Sequence, residues 1–288
     1  MPPTSQKSVL ITGCSAGGIG SAVAFSFAKR GLLVFATARN ISKIDPQLLS
    51  LSNVEVLTLD TTSTSSIRAA AQSVSGRTGG KLDYLVNNAG SGLVSPFLDT
   101  DMKKARALFE VNFWGVLDCI QEFKQLLVEA KGTIVNVSSI ASRVPNPYES
   151  IYNASKAALS HFSHTLRLEL APLSIRVIIL EVGMIKTSWY TNSMPSFTLP
   201  LNSLYTPATS ELTTSVTGTE NQKSGTPVAG FGEYIVGEVL KDGKTGEVWG
   251  GALSGTVRIV RWLPGWVMDN ILWKKAGLQK IAEARKSG

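Results

Sequence analysis

Thiols and imidazoles are scarce in this 288-residue chain: Cys14 and Cys119, His161 and His164 are the only cysteines and histidines. Two cysteines without ligand or bridge spacing exclude a disulfide framework and a zinc site, and point to a reducing compartment. Charged residues make up only 17% of the chain against 43% hydrophobic residues, which excludes a chain disordered throughout. The net charge of +7 is spread along the chain without a basic run except near the C-terminus. Nucleic acid is therefore not the expected partner, and an anionic cofactor or membrane surface accounts for the excess. The N-terminus runs into an apolar strand without the regions of a signal peptide, so the expected location is cytoplasmic. Glycosylation patterns at Asn136 and Asn153 fall inside elements expected to be buried.

What is present is a recurrence of short apolar runs: Val9 to Thr12, Leu32 to Thr37, Val54 to Asp60, Leu82 to Val86, Thr133 to Ser138, Ile175 to Val182 and Glu247 to Trp249. Most are continuously apolar, as in parallel strands buried on both faces. Helical spacing separates them at Ile19 to Arg30, Ser65 to Val74, Met102 to Glu129 and Ser150 to Leu170, with a later helix at Phe231 to Leu240. The alternation predicts an α/β fold, a Rossmann-type doubly wound parallel sheet of about seven strands with helices on both faces. One domain over 1–288 is expected. A substrate lid is expected over about 187–228, where Ser, Thr, Pro and Asn dominate, and an amphipathic tail over about 252–288.

The first strand ends in T-G-C-S-A-G-G-I-G, which sets Gly13, Ser15, Gly18, Ile19 and Gly20 between a strand and a helix. Glycines there let the backbone approach a pyrophosphate, and the helix N-terminus supplies amide donors. The spacing is wider than the common G-x-G-x-x-G. The same stretch formally matches a hydrolase nucleophile elbow at Ser15, but the only histidines lie mid-helix rather than on a late loop, and that reading fails for want of a base. At the end of the second strand Ala38 stands where an acid would grip the ribose of NAD, and Arg39 follows with a guanidinium suited to the extra phosphate of NADP. NADP(H) is the expected cofactor, and no metal is expected.

In Y-N-A-S-K, Tyr152 and Lys156 stand four apart and share a helix face. An ammonium beside the phenol favours phenolate and suits the pair to proton exchange with a substrate. Together with T-G-C-S-A-G-G-I-G, N-N-A-G at Asn87, the helical Asn112 and V-N-V-S-S ending at Ser139, this order of motifs resembles the classical short-chain dehydrogenase/reductases over nearly the whole chain. The resemblance implies Tyr152 as proton donor to a carbonyl oxygen, Ser139 as its hydrogen-bond partner, and Tyr152 and Lys156 also beside the cofactor, Lys156 on the nicotinamide ribose. It implies Asn112 positioning a water beside Lys156, Asn87, Ala89 and Gly90 lining the adenosine side, Asp60 meeting the adenine, and Ile185 and Thr187 near the nicotinamide amide. Two departures stand out: the glycine loop is one residue longer than the usual form, and Val182 precedes Gly183 where proline is usual.

Within that family the chain resembles a fungal type related to NADPH-dependent 1-acyldihydroxyacetone-phosphate reductase, which implies a hydrophobic or lipid-like small-molecule ketone or alcohol. A tailoring ketoreductase of secondary metabolism carries the same marks. A non-catalytic NADP(H)-binding sensor is the rival of another class, disfavoured by the intact Ser139, Tyr152 and Lys156. The resemblance also implies a homodimer or homotetramer through the long helix and the Tyr152 helix. In the tail, Trp262, Trp266 and Trp273 lie among Arg258, Arg261, Lys274 and Lys275. Two readings stay open there: peripheral contact with an intracellular membrane or lipid droplet, or a helix folded over the pocket or a subunit interface.

Overall fold

The computed structural model describes residues 6–189 and 198–286. Seven parallel strands form one sheet: β1 (Ser8–Ile11), β2 (Leu33–Ala38), β3 (Val54–Thr58), β4 (Tyr84–Asn87), β5 (Thr133–Val137), β6 (Arg176–Val182) and, after a two-stranded ladder, β9 (Gly246–Gly250). Their order is β3-β2-β1-β4-β5-β6-β9, so the winding reverses between β1 and β4. Ligand crevices of doubly wound sheets lie at that reversal, beyond the carboxyl ends of the strands. The expected strands are all present, with ends displaced by at most two residues.

Alternate residues of each strand feed two cores. Val9, Ile11, Val34 and Ala36 point to one face, where α1 (Ile19–Lys29), α2 (Pro46–Leu49) and α9 (Val228–Val239) cover them. Leu10, Leu33, Phe35 and Ile134 point to the other, under α3 (Thr64–Thr78), α5 (Gly115–Ala130) and α6 (Ser150–Leu170). This two-sided burial is why the strands read as continuous apolar runs. On the first face the helices approach closely: a Cβ on Gly232 of α9 would stand 2.7 Å from the Ala22 carbonyl oxygen of α1.

The long helix expected from Met102 to Glu129 is interrupted. It runs as α4 (Met102–Phe109), a π turn over Glu110–Trp114, and then α5. Gly115 packs against the Thr61 carbonyl, which a Cβ would meet at 2.5 Å. Asn112, fully buried within the π turn, is held by three hydrogen bonds. Wide turns of this kind concentrate at functional sites.

After β6 the chain makes β7 (Ile185–Lys186), paired in parallel with β8 (Thr226–Pro227), and between them lie α7 (Thr209–Thr217) and α8 (Thr219–Ser224). Residues 190–197 of the expected lid lie outside the described residues. The lid is more regular than its composition suggested, because Ala208, Leu212 and Val216, four apart, form a buried stripe. The tail forms α10 (Ser254–Val260), α11 (Gly265–Lys275) and α12 (Leu278–Ala284). Ala276, Leu278 and Ile281 pack against that stripe with Val94 and Tyr148, and Lys280 pairs with Glu211 at 2.6 Å.

Candidate active site

A cavity of about 1050 Å³ opens at the carboxyl ends of β1, β2, β4, β5 and β6. One end is built by the loop between β1 and α1. Gly13, with φ of +76°, Ser15, Gly18 and Ile19 line it. Gly18 caps α1 with no side-chain hydrogen bond, and the first turn carries no acidic residue. The helix therefore turns amide donors and partial positive charge toward the cavity without a side chain neutralising them. Gly20, expected among the contacts, is outside the lining: its Cβ would stand 2.4 Å from the Gly13 oxygen and 2.5 Å from Asn88 Nδ2, so it serves the packing of helix on loop.

Arg39, Asn40 and Lys43 continue this wall beyond the buried Ala38, and no carboxylate stands at the end of β2. Asp60 lines the cavity after β3, where its carboxylate accepts from the Thr62 amide and hydroxyl at 3.0 and 2.8 Å. Ala89 and Gly90 also line it, whereas Asn87 does not. Asn87 is buried and donates to Asn136 Oδ1 at 2.9 Å, across β4 and β5. The residue at the cavity is its neighbour Asn88, which donates to the Thr12 and Gly13 carbonyls at 2.8 and 3.0 Å and so ties the glycine loop to β4. The alternation of side chains along a strand end explains the exchange: consecutive residues face opposite ways.

Ser139, Tyr152 and Lys156 converge deeper in the cavity. Ser139 leaves β5 and caps a 3₁₀ turn at Ile140–Ser142, its Oγ accepting from the Ala141 amide at 3.1 Å. Tyr152 and Lys156 share a face of α6, with Lys156 Nζ 6.0 Å from the phenol ring centre. Lys156 is buried and donates to the Val137 carbonyl at 2.8 Å. Burial pulls its pKa down to about 8 against the opposing pull of Glu181. Burial raises the Tyr152 phenol above its ordinary value, with the Ser139 hydrogen bond lowering it and Glu149 raising it further. The sequence reading expected the ammonium to lower the phenol. In the structure burial, not the ammonium, sets the direction of the shift.

Asn112 stands outside the cavity lining, behind Gly90 and Ser91. It accepts from the Ser91 amide at 2.8 Å, donates to the Ser91 carbonyl at 3.0 Å, and donates to Ser155 Oγ at 3.1 Å. The π turn thereby clamps the loop after β4 to the helix carrying Tyr152. Ile185 and Thr187, after β6, also line the cavity.

The remaining wall holds residues that sequence reasoning missed. Trp189 lies with its ring centre 5.6 Å from that of Tyr152, and its indole occupies the space that a Cβ on Gly92 would need, 2.3 Å away. Tyr148, at φ of +69°, donates through its hydroxyl to the Ala276 carbonyl at 2.7 Å and packs edge-on against Tyr205. Leu272, Lys275 and Ala276 of the tail line the same wall. Glu149 lines it too, its carboxyl pushed up to about 7 by burial against the lowering pulls of Asn146 and Lys275.

Behind Ser139 lies an ionic cluster. Glu181 of β6, fully buried, accepts from Ser142 Oγ at 2.8 Å, Ser160 Oγ at 2.7 Å and Arg143 Nη2 at 3.1 Å. Arg143 also bonds Glu247 of β9 at 2.8 Å, and Glu247 takes in His164 at 3.1 Å and Arg261 at 3.4 Å. His164 thus has charged partners in Glu247 on β9 and Arg143 after the 3₁₀ turn, and no metal-binding group of His, Cys, Asp and Glu occurs among the described residues. Cys14 and Cys119 are buried, and desolvation lifts both thiols to about 12, which leaves them unreactive near neutral pH.

Comparison with known proteins shows the family and agrees with the fold. A family model described as short chain dehydrogenase matches residues 7–196. A short-chain dehydrogenase of Penicillium ochrochloron is 41% identical over 95% of this chain and 99% of its own. An NADPH-dependent 1-acyldihydroxyacetone phosphate reductase of Schizosaccharomyces pombe is 37% identical over 90% of each chain. Among solved structures, a short chain dehydrogenase from Burkholderia cenocepacia in complex with NADP superposes with a TM-score of 0.70 at 26% identity, covering 93% of this chain and 97% of that one.

Proposed function

The chain belongs to the short-chain dehydrogenase family, an oxidoreductase of CH–OH and C=O groups, and from that premise we propose that it is an NADPH-dependent reductase of a hydrophobic ketone. The observation that carries the reading is one cavity with two chemically distinct ends. Ser139, Tyr152 and Lys156 meet at one, and an uncapped helix N-terminus meets Arg39 and Lys43 at the other. Amide donors and two cations suit a phosphorylated dinucleotide, and the absence of a carboxylate at the end of β2 favours the 2′-phosphate form. Gly18, Ser15 and Ile19 would hold the pyrophosphate, Arg39 and Lys43 the 2′-phosphate, and Asp60 and Ala89 the adenosine.

When bound, NADPH supplies the hydride that reduces the carbonyl carbon. Tyr152 gives its proton to the carbonyl oxygen, and its raised pKa keeps the phenol protonated through the neutral range. The Ser139 hydroxyl donates to the same oxygen, so charge that develops there meets two fixed dipoles. Lys156 would hold the nicotinamide ribose and return a proton toward Tyr152. The substrate wall of Val144, Tyr148, Met184, Trp189, Leu253 and Leu272 is apolar, and with Lys275 beside it suits an acyl chain joined to a polar or anionic head.

Titration with NADPH and NADH, followed by turnover against ketones including an acyl-dihydroxyacetone phosphate, tests the reading. NADPH should bind at least roughly tenfold more tightly than NADH, and Arg39→Ala should remove most of that preference while leaving NADH affinity nearly unchanged, since a charge-assisted phosphate contact is lost. Equal affinity for both nucleotides would overturn the NADPH assignment, and failure of both to bind would overturn the reductase reading.

Assembly into a homo-oligomer through α4, α5 and α6 belongs to the same reading. Trp114, Val128 and Leu168 are exposed apolar side chains on that side. Size-exclusion chromatography should show a species at twice or four times the 30.8 kDa chain mass, and a monomer alone would remove the proposal.

A further inference from the structure

The tail has two faces with different surroundings. Leu272, Lys275 and Ala276 line the cavity. On the other side Trp266 and Trp273 are 66% and 48% exposed, and the turn before α11 adds Trp262 at 79% and Leu263. Ile259 of α10 and Ile271 are exposed as well. Six large apolar side chains thus stand in solvent within the segment 259–273, whereas the next such group among the described residues has three, Phe97, Leu98 and Met102. Concentrated exposure of this kind is uncommon on a monomer surface and marks a place of contact.

The charge around the patch is mostly positive. Arg258, Arg261, Lys274 and Lys275 face a single carboxylate, Asp269, between residues 252 and 277. Arg261 lies 5.0 Å above the Trp262 ring and 5.1 Å above that of Trp249, and it pairs with Glu247. The turn is thereby anchored to the end of β9, with Trp262 projecting outward. Indole rings with flanking cations match the headgroup layer of a bilayer, where the ring is half-solvated and the cation meets phosphate. No described helix is long and apolar enough to cross a membrane, so contact here lies at the surface. Leu253, directly before α10, is both 46% exposed and part of the cavity wall.

We propose that the outward face of residues 259–275 docks on the headgroup layer of an anionic membrane, which sets the cavity wall formed by the inward face of the same helix beside the lipid. Docking stands apart from the chemistry of the site. Only the further consequence, that a lipid-like ketone reaches the cavity from the bilayer through the rim at Leu253, rests on the reductase reading.

The test uses the full chain and sedimentation with vesicles of phosphatidylcholine alone or mixed with phosphatidylserine, with NADPH affinity measured in parallel without vesicles. The chain should sediment with the phosphatidylserine vesicles and show a blue shift of tryptophan emission, and raised salt should weaken binding. Trp266→Ser/Trp273→Ser should weaken it by roughly tenfold or more. Both residues are exposed and outside the cavity lining, so NADPH affinity should be unchanged, which also certifies that the variant folds. Absence of vesicle binding, or binding unaltered in the variant, would overturn the proposal. So would a dimer that the same substitutions dissociate in a protein that ignores vesicles, since the patch would then be a subunit interface. Loss of NADPH binding in the unaltered chain with vesicle binding intact would count against the reductase reading alone.

Discussion

Tyr152→Phe is expected to lower turnover by about 10²–10⁴-fold, the span associated with a positioned general acid, while NADPH affinity stays nearly constant. The substitution removes one oxygen and leaves the ring against Trp189, so the wall keeps its shape. The lost group is the one assigned to the substrate oxygen. Single-turnover kinetics beside fluorescence titration separate the two quantities. A loss of nucleotide affinity equal to the loss of rate would reassign Tyr152 to binding, and unchanged turnover would remove it from the mechanism. The unaltered enzyme should reduce ketones more slowly as pH rises past about 8, because Lys156, pulled down by burial, gives up its proton there. The direction follows from the role: reduction consumes a proton that Lys156 must help replace.

Arg143→Met is expected to cost about 3–5 kcal/mol of stability in urea unfolding, the range for stripping one partner from a buried ion pair. Arg143 is the only cation bonded to Glu181 among the described residues, and Glu181 is fully buried. Glu247 is less affected, since Arg261 and His164 remain beside it. The double variant Arg143→Met/Glu181→Gln should regain part of the loss, because no uncompensated charge then stays inside. If it proves no more stable than the single variant, the cost lies in packing rather than in charge. Activity should fall as well, for Ser142 and Arg143 lie in and directly after the turn that Ser139 caps, and Glu181 holds both.

The sheet was legible because burial on two faces demands uninterrupted apolar runs, and the motif residues were legible because glycine, serine, tyrosine and lysine stood in a family order. The differences between expected and observed lining have local causes. Asn87 and Asn88 are adjacent and chemically identical, so only the direction of the strand end tells which faces the cavity. Gly20 sits in the glycine loop but answers to helix packing. The π turn carries no composition signal, since its cause is a side chain reaching Ser91 and Ser155, far away in sequence. Glu181, Arg143 and Glu247 read as ordinary charges until three separate elements bring them together. Ala208, Leu212 and Val216 did offer a spacing, masked by the Ser and Thr around them. The two readings of the tail, pocket wall or outward surface, do not compete: one helix supplies a wall with Leu272 and Ala276 and exposes Trp266 and Trp273.

Because the Tyr148 hydroxyl is tied to the Ala276 carbonyl, the substrate wall closes on a contact between residues 128 apart along the chain. The glycine loop, Arg39, Ser139, Tyr152, Lys156 and Thr187 are placed by the sheet and the segments that follow its strands, without that contact. A change that loosens the tail should therefore alter which molecules are accepted while leaving the acid-base residues where they are.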